Sequence, residues 1–260
     1  ALPISLVKNY MKSNNSKRDN FPSIIADNVV YDTDQDIADI LNSFFTQQSM
    51  VPEPNACLPE VELHESDNML TFITITNQDV RDILLSLETS KAIGPDGIGN
   101  KPLKMIASHL TPILTKLFNY SLQSKIFPTP WKLASVVPLH KKGDTHDCGN
   151  YRPVALTSCV AKIFEKCIFK YVFNFFRDNH VLSNLQSGFT PGDSTVNQLT
   201  YLYNFIASAV DQGKEIRAVF CDISKAFDRV WHKGIIHKLQ AYGIRGDLLE
   251  WFKSYLEYRQ

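Results

Sequence analysis

The sequence predicts an α+β protein in which helices predominate. Apolar residues recur at helical spacing in segments from Ile37 to Leu256. Two β-type runs flank a basic turn within residues 133–156, which predicts a hairpin. A third apolar run, residues 216–221, contains no turn residue and predicts a short buried strand. The 260 residues, 44% of them hydrophobic, are enough to build a substantial core.

The first part of the chain predicts a weakly ordered segment followed by one helix. Residues 1–32 are polar and show little periodicity, whereas Thr33 or Asp34 is placed to cap a helix. The apolar face of that helix consists of Ile37, Ile40, Leu41 and Phe44. Residues 50–70 contain three prolines and five acidic residues, which predicts a loop or linker.

Helices and one tight turn are predicted between residues 77 and 122. Asn77 is expected to cap a helix whose inner face is Val80, Ile83, Leu84 and Leu87. Gly94-Pro95-Asp96-Gly97 predicts a tight turn, because proline presets one dihedral and glycine allows a positive one. Two amphipathic helices are expected around 103–106 and 113–122, with Pro112 in the first turn of the second.

The predicted hairpin carries basic side chains. Its strands are residues 133–139 and 150–156, and its turn contains Lys141 and Lys142. Arg152 lies on the returning strand. The fixed fork of an arginine pairs well with phosphate oxygens and a lysine acts as a mobile point charge, but both can also be ordinary solvated cations.

The remaining elements are predicted to be helical except for the strand at 216–221. Residues 160–176 form an unusually apolar segment, which indicates a helix packed in the core. Ser194-Thr195 caps a predicted helix that ends at Gly213. Two further helices are expected around 235–242 and 248–256.

Charge is distributed unevenly along the chain, although the net charge is zero. Residues 1–90 carry 5 Lys/Arg and 14 Asp/Glu, whereas residues 91–260 carry 22 and 13, so the two parts have net charges of −9 and +9. A basic surface is what binding to a phosphate backbone requires. Solvated lysines on helix faces explain the same excess equally well.

Composition also predicts the compartment. No run of 18 apolar residues and no signal-peptide pattern is present, so the protein is expected to be intracellular, in cytoplasm or nucleus, without a membrane partner. The five cysteines show no CxxC spacing, which favours reduced thiols. His140, His146 and Cys148 are an alternative zinc-binding group that lacks a fourth ligand.

Asp222 is the most informative acidic residue, because it follows directly on the predicted strand 216–221. Burying a carboxylate is costly unless a metal ion, an arginine or a helix N-terminus meets it. The pattern becomes helical from Lys225 onward, which places Phe227 near whatever Asp222 binds. Asp228 follows Phe227 in the turning chain and is expected to be structural.

Four motifs, in order, resemble the reverse transcriptases of non-LTR (LINE-type, Jockey-like and CR1-like) retrotransposons. They are Lys91-Ala-Ile-Gly-Pro-Asp-Gly97, the basic hairpin, Gln186-Ser-Gly-Phe189 and Phe220-Cys-Asp-Ile-Ser-Lys-Ala-Phe-Asp-Arg-Val230. Thr190 stands where the family has an arginine, which removes one expected cation.

The resemblance implies a right-hand polymerase fold with fingers and a partial palm in residues 75–260. Residues 1–74 are then an acidic, partly disordered lead-in. In this family an acid at the position of Asp222, with the carbonyl of Ile223, binds two Mg²⁺ ions. Lys141 and Arg152 match the residues that hold the triphosphate, and Phe227 matches the residue under the deoxyribose. The implied partners are an RNA template, a DNA primer and deoxynucleoside triphosphates.

The family's Tyr-x-Asp-Asp motif does not occur in these 260 residues, nor does any Asp-Asp or Glu-Asp pair. The resemblance therefore implies that the thumb and the second half of the palm are absent, and we expect little or no polymerase activity from this chain alone. The alternative is a catalytically inactive remnant, or a module that binds RNA or a template without chemistry.

Overall fold

Helices account for about half of the chain in the computed structural model, which describes residues 21–50, 58, 60, 61 and 68–259. The helices in these ranges are α1 (Asp34–Ser49), α2 (Asn77–Ser86), α3 (Asn100–Met105), α4 (Ala107–Ser124), α5 (Cys159–Asp178), α6 (Thr195–Asp211), α7 (His232–Ala241) and α8 (Gly246–Leu256). The helix-rich α+β prediction is confirmed. Residues 1–20 of the predicted weakly ordered segment 1–32, and most of the linker at 50–70, lie outside the described residues.

Two antiparallel hairpins supply the strands in the part of the chain that the structure describes. The first pairs β1 (Ile24–Ala26) with β2 (Val29–Tyr31), and the second pairs β3 (Ala134–His140) with β4 (Tyr151–Thr157). The second hairpin was predicted to within one residue at each end, and we call residues 134–157 the cationic hairpin. Its register runs from Ala134 opposite Thr157 to His140 opposite Tyr151.

The main core is aromatic and joins α2, α4, α5 and α8. The rings of Phe118 and Phe164 stack at 4.5 Å, and Trp251 lies edge-on to Phe164 at 5.2 Å. Ile163 and Cys167 of α5 are fully buried in the same cluster, so the predicted core role of this helix is confirmed. Buried aromatic rings remove large apolar areas from water, which makes this cluster the main source of stability.

A second, smaller core joins the N-terminal part of the chain to the cationic hairpin. From residues 21–49 it takes Ile24, Ile37, Leu41 and Phe45, and from the hairpin it takes Cys148 and Tyr151. Ile24 is fully buried, although it belongs to a stretch that the sequence predicts to be weakly ordered. The short β1–β2 hairpin therefore gains its burial both from α1 and from hairpin residues more than a hundred positions away.

Two details of the helices differ from the prediction. Thr76 rather than Asn77 caps α2, because its hydroxyl accepts from the amide of Asp79 at 3.2 Å while the Asp79 carboxylate accepts from the amide of Thr76. Pro112 lies well inside α4 rather than in its first turn, since that helix begins at Ala107. The predicted caps at Thr33 and Ser194 are confirmed.

The predicted strand at 216–221 is wrong. Residues 214–223 are irregular and exposed, and the side chain of Phe220 retains 92% of its accessible surface. A strand needs a neighbour to receive its backbone hydrogen bonds, and no described strand lies beside this segment. Helix α6 is also exposed, because none of its apolar residues is buried within the described part of the chain.

Within the described ranges, no helix combines the length and the apolar character that crossing a membrane requires. Cys148, Cys159, Cys167 and Cys221 are free thiols, as the spacing predicts. Cys57 lies outside the described residues.

Candidate functional site

The cationic hairpin places its two candidate phosphate-binding residues on one face. Arg152 pairs with Leu139, and the amide of Lys141 donates to the carbonyl of Asn150 at 2.8 Å, so pairing continues past the end of β3. Side chains alternate along a strand, so Lys141 lies on the same face as Leu139, two residues earlier. Arg152 is directly opposite Leu139 and therefore shares that face. Both side chains are exposed, and neither has a hydrogen bond or ion pair with any described residue. An anion can approach both without displacing a protein partner.

The opposite face of the hairpin is covered. Tyr151 is 7% exposed, its ring lies 5.4 Å from that of Phe21, and its hydroxyl donates to the carbonyl of Thr145 at 2.7 Å. Burial raises the pKa of the Tyr151 phenol, as does the nearby thiol of Cys148. The alternation of Tyr151 and Arg152 thus gives the hairpin one packed face and one open, cationic face.

Asp222 lies in an exposed, irregular segment, residues 216–231, which we call the Asp222 segment. Its carboxylate has no hydrogen bond or ion pair within the described part of the chain. One turn follows, in which the amides of Asp228 and Arg229 donate to the carbonyl of Lys225 at 3.0 and 3.1 Å. Lys225 adopts a positive φ of 55°, so the helix predicted from this residue is a single turn. Because Asp222 is exposed, the expected cost of burying it does not arise.

Phe227 contacts the loop that contains the Gln-Ser-Gly-Phe sequence. Its ring lies 5.7 Å from that of Phe189 in an edge-to-face arrangement. Phe227 is 77% exposed and Phe189 is 83% exposed, so this pair of rings is open to solvent on its other sides. Ile223 is also 77% exposed. The two motifs are therefore neighbours in space, as they would be if both contacted the same ligand.

The loop around Phe189 is held by its own hydrogen bonds. The hydroxyl of Thr190 donates to the carbonyl of Gln186 at 2.8 Å, and the hydroxyl of Ser187 donates to Gln198 of α6 at 2.5 Å. The amide of Ser194 donates to the carboxylate of Asp193 at 2.7 Å. Thr190 thus closes its own loop and supplies no charge.

A cleft of about 490 Å³ lies between this loop and α6. It is lined by Asn184, Leu185, Ser187, Asp193, Asn197, Gln198, Tyr201, Leu202 and Phe205. Amide and hydroxyl groups beside exposed aromatic rings can form hydrogen bonds and stacking contacts at once.

The candidate site is only partly assembled. Lys141 and Arg152 share a face, and Phe227 meets Phe189, but neither an ion pair nor a hydrogen bond joins Asp222 to the hairpin cations in the ranges described. Among the same residues, no group of three His, Cys, Asp or Glu side chains could hold a metal ion. Asp222 and Ile223, the metal ligands that the resemblance implies, are both exposed in the Asp222 segment.

The alternative zinc site does not form. The Nδ1 atom of His146 lies 2.6 Å from the carbonyl oxygen of Ser23, and Cys148 is buried in the second core. The ring of His140 packs against Tyr151 at 5.3 Å. The three candidate ligands therefore serve three different contacts.

Helix α1 contacts the Asp222 segment, and this contact was not predicted from the sequence. The ammonium of Lys225 lies 5.8 Å from the ring centre of Phe44, and Nε of Arg229 donates to the carbonyl of Gln48 at 3.3 Å. The adjacent rings Phe44 and Phe45 could have indicated this contact. Two neighbouring large apolar residues on a helix make its apolar face wide enough to pack against two partners.

Comparison with known proteins identifies one family. Residues 139–260 match the model of the family described as reverse transcriptase (RNA-dependent DNA polymerase). This range begins in the cationic hairpin and includes the Phe189 loop and the Asp222 segment.

Curated relatives extend the similarity toward the N-terminus. The chain is 33% identical over 190 residues to the probable RNA-directed DNA polymerase from transposon BS of Drosophila melanogaster, covering 70% of this chain and 20% of the relative. It is 31% identical over 204 residues to the RNA-directed DNA polymerase from mobile element jockey of the same species, covering 77% and 22%. A Pol polyprotein of retrotransposable element R2 from Popillia japonica is 30% identical over 117 residues, covering 45% and 16%. The chain spans about a fifth of the length of the first two.

Proposed function

Because residues 139–260 belong to the reverse transcriptase family, we propose that this chain supplies the fingers and the first palm segment of a non-LTR retrotransposon polymerase. The domain division that goes with this proposal is 75–260 for the polymerase part and 1–74 for the lead-in. The reaction is nucleotidyl transfer from a deoxynucleoside triphosphate to a DNA primer paired with an RNA template.

One observation carries this proposal: Lys141 and Arg152 lie on the same open face of one hairpin and have no described protein partner. Two unpaired cations held by a paired backbone form a pre-organised site for an anion with several oxygens. A triphosphate fits because the arginine can bind two oxygens at once while the lysine reaches a third.

Asp222 is the proposed ligand of two Mg²⁺ ions, with the carbonyl of Ile223 beside it. The described residues fit this role only in part, since no cluster of three possible ligands occurs among them and Mg²⁺ requires about six oxygen ligands. In the proposed enzyme, further carboxylates therefore complete the site. When bound, the ions would neutralise charge on the transferred phosphoryl group and on the leaving oxygens.

Phe227 is proposed to lie under the sugar of the incoming nucleotide. A large ring at this position leaves no space for a 2′-hydroxyl and so favours deoxynucleotides. Its contact with Phe189 supports the role, because a second ring 5.7 Å away limits how far the Phe227 side chain can turn aside.

A second candidate is a module that binds nucleotide or RNA without catalysing transfer. The observation that favours it is the absence of any Asp-Asp or Glu-Asp pair from the 260 residues, while both hairpin cations are present. Such a module would bind the same ligands and would form no new phosphodiester bond.

Nucleotide binding tests the proposal. We expect the chain to bind a fluorescent deoxynucleoside triphosphate in the presence of Mg²⁺, measured by fluorescence anisotropy. Lys141→Ala or Arg152→Ala should each raise the Kd about tenfold, because a charge-assisted hydrogen bond contributes roughly 1.5–3 kcal/mol.

Lys142→Ala is the matched control, since it removes the same charge from the next position of the same turn. It should change the Kd much less than Lys141→Ala does. Equal effects of the two lysine variants would mean that the nucleotide is held by general electrostatic attraction and not by a specific site. No binding by the unmodified chain would contradict the proposal. Since this chain alone is expected to extend no primer, primer extension by a chimaera in which residues 139–260 replace the aligned segment of a longer relative separates the two candidate functions.

A further inference from the structure

The N-terminal segment, residues 21–49, packs against the tip of the cationic hairpin. Ile24 is fully buried beside Cys148 and Tyr151, and the amide of Ile25 donates to the carbonyl of His146 at 2.8 Å. This backbone hydrogen bond fixes the position of β1 relative to the hairpin turn. Apolar burial then holds the two parts together.

A polar contact adds to this packing at the same place. The Nδ1 atom of His146 lies 2.6 Å from the carbonyl oxygen of Ser23 and 3.1 Å from its hydroxyl. The imidazole must carry its proton on Nδ1 to donate to the carbonyl. Neighbouring Phe21 stacks near Tyr151, so the segment contacts the hairpin from residue 21 onward.

Helix α1 presents two neighbouring faces to two different parts of the candidate site. Leu41 and Phe45, four residues apart, lie on one face and belong to the core shared with the hairpin. Phe44 packs at the edge of this core, and its ring centre lies 5.8 Å from the ammonium of Lys225. The carbonyl of Gln48, one turn later, accepts from Nε of Arg229. One rigid helix therefore contacts both parts of the chain that contain the candidate ligand-binding residues.

We propose that residues 21–49 are a brace that positions the cationic hairpin relative to the Asp222 segment, with Ile24 and Phe45 as its positioning residues. The roles of the two parts that it positions rest on the proposed function. The brace itself rests on the contacts of Ile24, Phe45 and Phe44.

Energetics favour such a role. A two-stranded hairpin alone is marginally stable in water, so its tip needs a packing partner to stay in one position. The covered face contains Tyr151 and Val136, opposite to the face of Lys141 and Arg152. Support from behind therefore fixes the two cations without blocking access to them.

Reactivity of the cysteines gives a test of the brace that needs no ligand. Cys148 is 5% exposed in the brace contact, Cys167 is fully buried in the main core, and Cys221 is exposed. We expect Phe45→Ala to speed alkylation of Cys148 by N-ethylmaleimide more than about tenfold, because local opening of a small core becomes easier. Cys167 should remain protected and Cys221 should react as before, with rates read by peptide mass spectrometry.

Ser43→Ala is the matched control, because Ser43 is exposed on the same helix and its hydroxyl has no hydrogen bond to any described residue. Phe45→Leu should restore most of the protection of Cys148, since it refills the cavity. Loss of Cys167 protection in Phe45→Ala would mean that the chain unfolds. In that case Ile24→Ala, which removes less volume, is used instead of Phe45→Ala in both the alkylation and the Kd measurement.

The second readout is the Kd for the fluorescent deoxynucleoside triphosphate. A brace variant should raise this Kd about fivefold or more, because only the fraction of molecules with a positioned hairpin binds well. Unchanged protection of Cys148 would overturn the brace. Released Cys148 with unchanged Kd would overturn its positioning role. If the unmodified chain binds no nucleotide, the proposed function fails, and the brace is decided by the Cys148 rates alone.

Discussion

At the scale of single residues, Asp79 is a buried carboxylate that accepts several hydrogen bonds. It is 5% exposed and accepts hydrogen bonds from Lys170 at 2.5 Å and from Tyr171 at 2.7 Å, in addition to its contacts with Thr76. Burial opposes the charged form, but the hydrogen bonds from Lys170, Thr76 and Tyr171 outweigh it and hold the pKa of Asp79 well below its usual range. This carboxylate joins α2 to α5 in the core that supports the site.

We predict that Asp79→Asn lowers the free energy of unfolding by about 2 kcal/mol at neutral pH, because Lys170 and Tyr171 lose a charged acceptor. The pKa of Asp79 is lower in the folded state, so its stabilising contribution is full above the unfolded pKa of about 3.9 and is lost as the pH falls below it. Urea denaturation at neutral and acidic pH measures both effects.

Asp82→Asn is the control for this prediction, since Asp82 lies on the exposed side of the same helix and contacts only Gln78 among the described hydrogen bonds. Its effect should stay within about 0.5 kcal/mol. A loss in Asp82→Asn as large as that in Asp79→Asn would show that the network around Asp79 has no special role.

Between elements, the turn at Gly94 to Gly97 packs against the junction of β4 and α5. The amide of Gly97 donates to the carbonyl of Gly94 at 3.1 Å, which closes the predicted tight turn. A Cβ at Gly94 would lie 2.5 Å from the carbonyl oxygen of Thr157, whereas a Cβ at Gly97 meets nothing within 4 Å. The first glycine is therefore required by close approach and the second by its φ of +72°.

We predict that Gly94→Ala destabilises the fold by about 3 kcal/mol, because backbone atoms must move apart. Gly97→Ala should cost only about 1 kcal/mol, the strain of a left-handed residue. Thermal unfolding of the two variants beside the unmodified chain makes the comparison. Equal losses would mean that the turn does not pack against the hairpin as the structure shows.

Local sequence patterns predicted well those elements whose structure depends on residues close to them in sequence. The cationic hairpin and α5 follow from strand alternation and from a continuous apolar face, and both are present. Residues 216–221 show the limit, because β propensity cannot supply the neighbouring strand that pairing requires. Helix α6 is another case, since its apolar pattern marks a face that no described residue covers.

The candidate site was harder to predict than the elements that support it. The sequence predicts that Lys141 and Arg152 lie on one hairpin, but their shared face depends on the strand register, which the structure supplies. The contacts of α1 with the Asp222 segment join residues about 180 positions apart, and no local period encodes them. Long-range packing of this kind becomes visible only in the folded chain.

Across the whole molecule, residues 1–90 are acidic and residues 91–260 are basic, and both regions contribute to the candidate site and its support. The acidic first part supplies α1, and the basic remainder supplies the hairpin and the Asp222 segment. The proposed polymerase role unites these parts, because a template and a triphosphate both require cations beside a carboxylate that binds metal. Asp222 is the residue on which that role depends most.

Primer extension on an RNA template tests the role of Asp222 most directly. Residues 139–260 would replace the aligned segment of the Drosophila melanogaster jockey polymerase, and DNA synthesis would be measured with Mg²⁺ and deoxynucleotides. Synthesis by this chimaera should fall at least about a thousandfold in Asp222→Asn, because loss of a metal ligand removes several kcal/mol of transition-state stabilisation. Asp228→Asn, six positions away, should retain most of it. Synthesis that survives Asp222→Asn, or an unmodified chimaera that binds template but extends no primer, would contradict the account.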